Sequence, residues 1–263
     1  SFTIILIGLR WPDISRILYV ALSLRVLVIL IGHYIVPLPD STKDAAGLDD
    51  LAWSYGKDGF LNALSNFNLN SRYFHSQIIG IFYSLFGRSI LISQSLSLII
   101  GLGIIFLAWF YAKKIWDDLT AKKIAWILAI FPSQILYSVL PLKDIYMSFF
   151  LLIAMIGIFH WVKEESYKYL FVASAGFILA TLFHGALVLG LIVFLSLIVL
   201  INFKNFFKSI RLLHLNISAL IISILSIYIL QIFFLNKIYI PKIGYFEDIN
   251  YSLILNELTA RMI

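Results

Sequence analysis

Phe74-His75-Ser76-Gln77-Ile78-Ile79-Gly80-Ile81-Phe82-Tyr83-Ser84-Leu85-Phe86-Gly87 is apolar enough to enter a bilayer but short for crossing one. At 1.5 Å per residue a helix over 74–87 is about 21 Å long, against a hydrocarbon core of about 30 Å. If it spans, every later loop changes side. If it lies in the interface or re-enters, the loops on either side of it stay where they were.

The rest of the chain makes that question the decisive one. Of its 263 residues, 61% are hydrophobic and 13% charged, and mean hydropathy is +0.96, whereas soluble domains carry about a quarter charged residues. This composition predicts an integral membrane protein. Runs rich in Leu, Ile and Phe without strict alternation favour helices over barrel strands. Spans are expected near 17–37, 89–111, 122–140, 145–162, 168–183, 185–202 and 212–235, an all-α polytopic bundle of about seven transmembrane helices. No internal repeat or low-complexity linker interrupts 1–263, which reads as a single transmembrane domain. There is no cysteine, hence no disulfide, thiolate metal site or cysteine nucleophile.

Charge decides how 74–87 is read. With Arg10 and Arg16 cytoplasmic, a spanning 74–87 would place Lys113, Lys114, Lys122 and Lys123 outside, against the positive-inside rule. With 74–87 interfacial, those lysines, the Lys163–Lys168 loop and Lys204, Lys208 and Arg211 all face the cytoplasm. The net charge of +6 is then a topological signal and needs no nucleic-acid partner. Arg25, inside the first apolar run, is expected to be an anchor near the cytoplasmic headgroups.

The opposite face collects a different set: the loop 38–73, His75, the turn Pro141-Leu142-Lys143-Asp144, the turn at His184-Gly185, and the tail from Asn236 onward. Within the loop, Asp40-Ser41-Thr42-Lys43-Asp44-Ala45-Ala46-Gly47-Leu48-Asp49-Asp50 is conspicuously acidic. Over 44–57, Ala45, Leu48, Leu51, Ala52 and Tyr55 suit one face of a short helix lying on the membrane, with a second short helix around 58–65. Asp44 stands at the helix start, where a carboxylate favours the positive end of the dipole. Asp49 and Asp50 read first as a solvated face. No HExxH, Walker, GxSxG or EF-hand pattern is present, and the external His and Asp residues lack metal-ligand spacing.

One span, an external acidic loop with short interfacial helices, then further spans with brief turns resembles the core of the GT-C membrane glycosyltransferases. Asp44-Ala45-x-x-Leu48-Asp49-x-Leu51-Ala52-Trp53 is similar to the first loop of their polyprenyl-phosphate-sugar-dependent, family 39-like members. Tyr83-x-x-Phe86-Gly87-x-Ser89 looks like their turn into the next helix. Phe131-Pro132-Ser133, Ser138 and Lys143-Asp144-Ile145 resemble their helix ending in a polar external turn. The likeness covers about residues 17–235 and lies more in topology than in letters.

The resemblance implies inverting transfer of a sugar from a polyprenyl-phosphate donor to a glycan, lipid or protein acceptor, at the periplasmic face of a bacterial inner membrane. Asp44 would be the catalytic base. Lys143 would neutralise the leaving phosphate, with Asp144 capping the following helix, holding Lys143 or adding a second acidic group. His184, His75, Arg72 and Asp50 are candidates for substrate contact, and Arg261 in the tail is a further candidate to reach a lipid phosphate. No cofactor is required, although some members of that superfamily use a divalent cation, and a cation bridging Asp44 and the phosphate stays open. Many members continue beyond such a core, so the acceptor-reading part is sought past residue 263. The competing readings are a lipid-linked oligosaccharide polymerase, a transporter, or a non-catalytic scaffold whose Gly101-x-Gly103 and Gly185–Gly190 stretches serve packing. A transporter would need ionisable residues near the midplane and inverted repeats.

Overall fold

The structure, a computed structural model, describes residues 10–206 except positions 43, 70 and 165, together with 239–240 and 244–245. The expected span 212–235 and Arg261 lie outside the described residues. Two compact units are present: Ser1–Asn68 with Tyr73–Gly176, and Leu69–Arg72 with Phe177–Ile263. The described chain is helical apart from one short strand pairing.

The first unit opens with α1, Pro12–Tyr34. Proline suits a first helical position, where its missing N–H has no partner to lose, and Asp13 in the first turn complements the dipole. Its buried face runs Ile14, Ile17, Leu18, Ala21, Arg25 and Ile29, the spacing of a helical stripe. The segment after α1 holds α2, Asp44–Gly56, and α3, Phe60–Ser65. Next come α4, Phe74–Phe86, and the long α5, Ile90–Ile115. The residues expected to form one span over 122–140 are instead two helices, α6, Asp118–Ile130, and α7, Pro132–Val139, bent by 59°. Pro132 cannot donate to a preceding carbonyl, and it pushes Phe131 into extended backbone. The unit continues with α8, Asp144–Glu164, and with α9, Tyr167–Phe183, as far as Gly176.

Three helices, α1, α5 and α8, are long and apolar enough to cross a membrane, and a fourth span is counted if the bent α6–α7 pair is one. Helix α9 and the described part of the helix after it are shorter apolar helices, so among the described residues three or four of the seven spans expected from sequence are long and apolar enough to cross. Helix α4, at 13 residues, is about 20 Å long, too short to cross.

One end of this unit is basic and tied by ions. Asp13 at the start of α1, Lys113 at the end of α5, and Asp118 and Lys122 on α6 form a closed set, with Lys113–Asp118 at 2.8 Å, Lys122–Asp118 at 2.5 Å and Lys113–Asp13 at 3.2 Å. Asp117 caps α6 by accepting from the Thr120 backbone N–H at 2.8 Å, a bond that holds its carboxyl below the usual range. The start of α1 and the end of α5 therefore share one end of the unit, which is the geometry that follows when α4 does not reverse the chain. Between α1, α5 and α6 lies a core of Ile14, Leu18, Leu102, Ile105 and Trp109 against the alanine stripe Ala121, Ala125, Ala129. Alanines on one face let the α6 backbone approach closely.

A second close crossing is that of α2 on α4. A Cβ at Gly80 would stand 2.7 Å from the Ala52 carbonyl oxygen and 2.9 Å from Tyr55 Cβ. Gly56 meets the Gly80 carbonyl from the other side. Ser76 donates to the Leu48 carbonyl at 3.0 Å across the same interface. Gly80→Ala is expected to destabilise the protein by about 1–3 kcal/mol, because its new neighbour is backbone, and the drop is read from thermal unfolding in detergent.

In the second unit, α9 ends at Phe183 and α10, Leu187–Phe206, begins after a short turn. Val188, Leu191, Leu195 and Ile198 form its buried stripe, and Phe194 stacks on Phe177 at 5.1 Å. Strands β1, Tyr239–Ile240, and β2, Gly244–Tyr245, pair antiparallel.

Candidate functional site

The approach to Asp44 is built by a tight turn. After α1 the chain passes Pro37-Leu38-Pro39, and Asp40 takes a left-handed φ of 63°, a conformation that Asp tolerates better than most residues. Ser41 ties back to the Leu38 carbonyl through its backbone N–H at 3.1 Å and its hydroxyl at 2.6 Å. Leu38 then packs with Ala45, Leu48 and Leu136 on buried Leu140 and Leu142. This small apolar cluster holds the N-terminus of α2 against the turn between α7 and α8.

A groove opens where those two segments meet. It has a volume of about 370 Å³ and is lined by Asp44, Gly47, Leu48 and Leu51 of α2 and by Leu142, Lys143 and Asp144 of the turn. The α2 contribution follows the helical repeat: positions three, four and seven after Asp44 share its face. Asp44 is exposed, while Lys143 and Asp144 are half-buried. The Lys143 carbonyl accepts the Met147 N–H at 3.1 Å, so the backbone before α8 is fixed while the ammonium stays available. Among the described residues none of Asp44, Lys143 and Asp144 is engaged in an ion pair. The groove thus offers two carboxylates and an ammonium outside any ion pair, beside leucine side chains.

The other residues singled out in the sequence are placed differently. Asp50 follows Asp44 by six positions and is rotated about 120° from it around the helix. It faces Arg88, whose Nη2 lies 2.5 Å away, and does not line the groove. Asp49, expected on a solvated face, is buried. It accepts from the Tyr83 hydroxyl and from Arg88 Nε at 3.1 Å and Nη2 at 2.6 Å. Burial and the Asp49 hydrogen bond raise the Tyr83 phenol above its ordinary range, and Asp49 and Asp50 raise Arg88 in turn. Gly87, at φ 82°, makes the turn after α4 that presents Arg88 to α2. Of the three carboxylates on α2, Asp44 is therefore available, while Asp49 and Asp50 fasten α2 to the turn after α4.

His75 is buried at the start of α4, with its ring edge-on to Tyr146 at 4.9 Å, and it is not among the groove-lining residues. Burial first, and then the positive charge of Lys143, push its pKa down to about 3. The imidazole is neutral in the folded protein at any ordinary pH. Because the unfolded chain takes up a proton near pH 6.5 and the folded one does not until about 3, stability contributed here is present above 6.5 and falls as pH drops between those values. His75→Leu is expected to weaken the acid sensitivity of unfolding across that window, as followed by circular dichroism.

Arg72 and His184 belong to the second unit. Arg72 is exposed. His184 is half-buried in the turn, its N–H donating to the Ala180 carbonyl at 3.1 Å and its carbonyl accepting from Leu187 at 3.1 Å.

Other polar contacts had no signal in the sequence. His33 Nε2 lies 3.2 Å from Gln94 Oε1, and the Ser97 hydroxyl 3.4 Å from that of Tyr146. Their partners are 61 and 49 positions apart, so no local spacing announces them. For a divalent cation, the oxygen donors at the groove are Asp44 and Asp144, the ligand type that a hard cation bridging to phosphate uses. No group of three or more metal-ligating side chains occurs among the described residues. Compared with protein-family models, curated proteins and solved structures, the chain matches none.

Proposed function

We propose that this chain is a membrane glycosyltransferase of the GT-C type, transferring sugar from a polyprenyl-phosphate donor to an acceptor hydroxyl at the external, periplasmic face of a bacterial inner membrane. One observation carries the reading: Asp44 and the neighbouring pair Lys143 and Asp144, distant from it in sequence, line a single groove together with Leu48, Leu51 and Leu142. Asp44 takes the proton of the acceptor hydroxyl as its oxygen attacks the anomeric carbon. The bond from that carbon to the phosphate oxygen breaks, the electron pair leaves with the phosphate, and Lys143 meets the developing charge. Attack opposite the leaving group inverts the anomeric centre. Asp44, being exposed, returns its proton to water. Leu48, Leu51 and Leu142 offer apolar surface for the first prenyl units. The seven-span arrangement belongs to this same reading.

The test is transfer from radiolabelled polyprenyl-phosphate sugars in membranes containing the full chain. Expected is label moving from the prenyl lipid into a new acceptor product, with release of prenyl phosphate. Label that crosses the membrane with the sugar–phosphate bond intact would support a transporter instead, and an unchanged donor across a panel of sugars would remove the enzymatic reading.

A further inference from the structure

Arg25 was expected to be an anchor reaching for headgroups, yet it is fully buried within α1. A charge in a spanning helix is costly unless it finds partners inside the bundle. Among the described residues it has no carboxylate partner. Its Nε donates to the Ser138 hydroxyl at 2.8 Å, and its Nη1 to the carbonyls of Ala129 at 3.2 Å and of Ala21 at 3.1 Å.

Those partners have a pattern. Ala129 is in the last turn of α6 and Ser138 in the last turn of α7, the two sides of the break at Phe131-Pro132. The end of a helix leaves carbonyls without intrahelical donors, and a bilayer has no water to satisfy them. One planar guanidinium serves the freed carbonyl on one half and a hydroxyl on the other. Ser138 in turn donates to the Ile135 carbonyl at 2.8 Å, and it sits so close to Gly101 of α5 that no side chain fits there. Directly after Ser138 come Val139, Leu140 and Leu142, all buried, and then Lys143 and Asp144 of the groove.

We infer that Arg25 is a positioning residue, which joins the two halves of the broken span and thereby sets where Lys143 and Asp144 stand opposite Asp44. The functional part of this statement rests on the glycosyltransferase reading. The geometric part does not, and the two are tested separately.

The absence of native cysteine allows paired spin labels on the full chain in nanodiscs. Labels at exposed Leu119 and Tyr137 measure across the bend, and labels at exposed Ala46 and Tyr137 measure toward the groove. Arg25→Lys keeps a cation but lacks the planar fork that reaches both halves at once, and Ser138→Ala keeps the arginine but removes its α7 partner. Both variants are expected to shift or broaden the two distance distributions, and Arg25→Lys the more. Distributions unchanged from wild type in both variants would overturn the inference. In the transfer assay the same variants are expected to lose roughly 10- to 100-fold in kcat/KM, the scale of a small misplacement of a reacting group, mainly through a raised donor KM. Shifted distances with no transfer by the wild type would sustain the positioning role and reject the enzymatic reading. Shifted distances with unaltered donor KM in an active enzyme would show that the bend does not set the groove, and would reject the inference.

Discussion

Asp44→Asn is expected to lower sugar transfer by about 10²- to 10⁴-fold, the usual contribution of a positioned general base. Asparagine keeps the size and a hydrogen-bonding oxygen but cannot take a proton. Donor binding should therefore change little while turnover collapses, and kcat and kcat/KM should fall together. Asp44 is exposed and makes no ion pair among the described residues, so its loss should leave unfolding temperature nearly untouched. That separates it from Asp49, whose carboxylate is buried under Tyr83 and Arg88. Asp49→Asn should act mainly through stability. Full transfer activity in Asp44→Asn would remove the base assignment whatever the other variants do.

Lys143→Ala is expected to cost about 10²- to 10³-fold in kcat/KM, the scale for removing one preorganised group that meets developing charge. Lys143→Arg keeps the charge and should recover part of the loss. The two substitutions also have a signature independent of catalysis. Lys143 contributes, after burial, to holding His75 down to about 3. In Lys143→Ala the His75 pKa should rise, yet stay below its ordinary value, because burial is the larger cause. Nuclear magnetic resonance of the His75 ring reads this directly. A His75 titration unmoved by Lys143→Ala would show that the ammonium does not act on it, and would weaken the placement of the positive charge at the groove. Wild-type donor affinity in Lys143→Ala would rule out the phosphate role.

The features of this chain that follow local rules are legible in its sequence. Hydropathy marks α1, α5 and α8, and the basic loops argue that 74–87 does not span, consistent with a 13-residue α4. The amphipathic pattern over 44–57 finds α2, and Pro132 marks the break that a continuous 122–140 span overlooked. The acidic loop shows where such rules stop. Asp44, Asp49 and Asp50 are the same chemistry within one helix, and only the positions of α4 and of the 140–144 turn distinguish them. Arg88 is 39 residues from Asp49, and Ser138 is 113 from Arg25; neither pairing leaves a local trace.

The amino-acid sequence by itself determined a helical chain and marked the segments apolar enough to cross a membrane, because hydrophobic periodicity and charge placement act over a few residues at a time. The tertiary structure alone decided which acid of α2 stays free, that Lys143 and Asp144 stand beside Asp44, and that a buried arginine hydrogen-bonds to both halves of the bent α6–α7 pair. Those outcomes depend on helices meeting at glycine and alanine faces. Such meetings bring together groups whose separation along the chain carries no information about their distance in space.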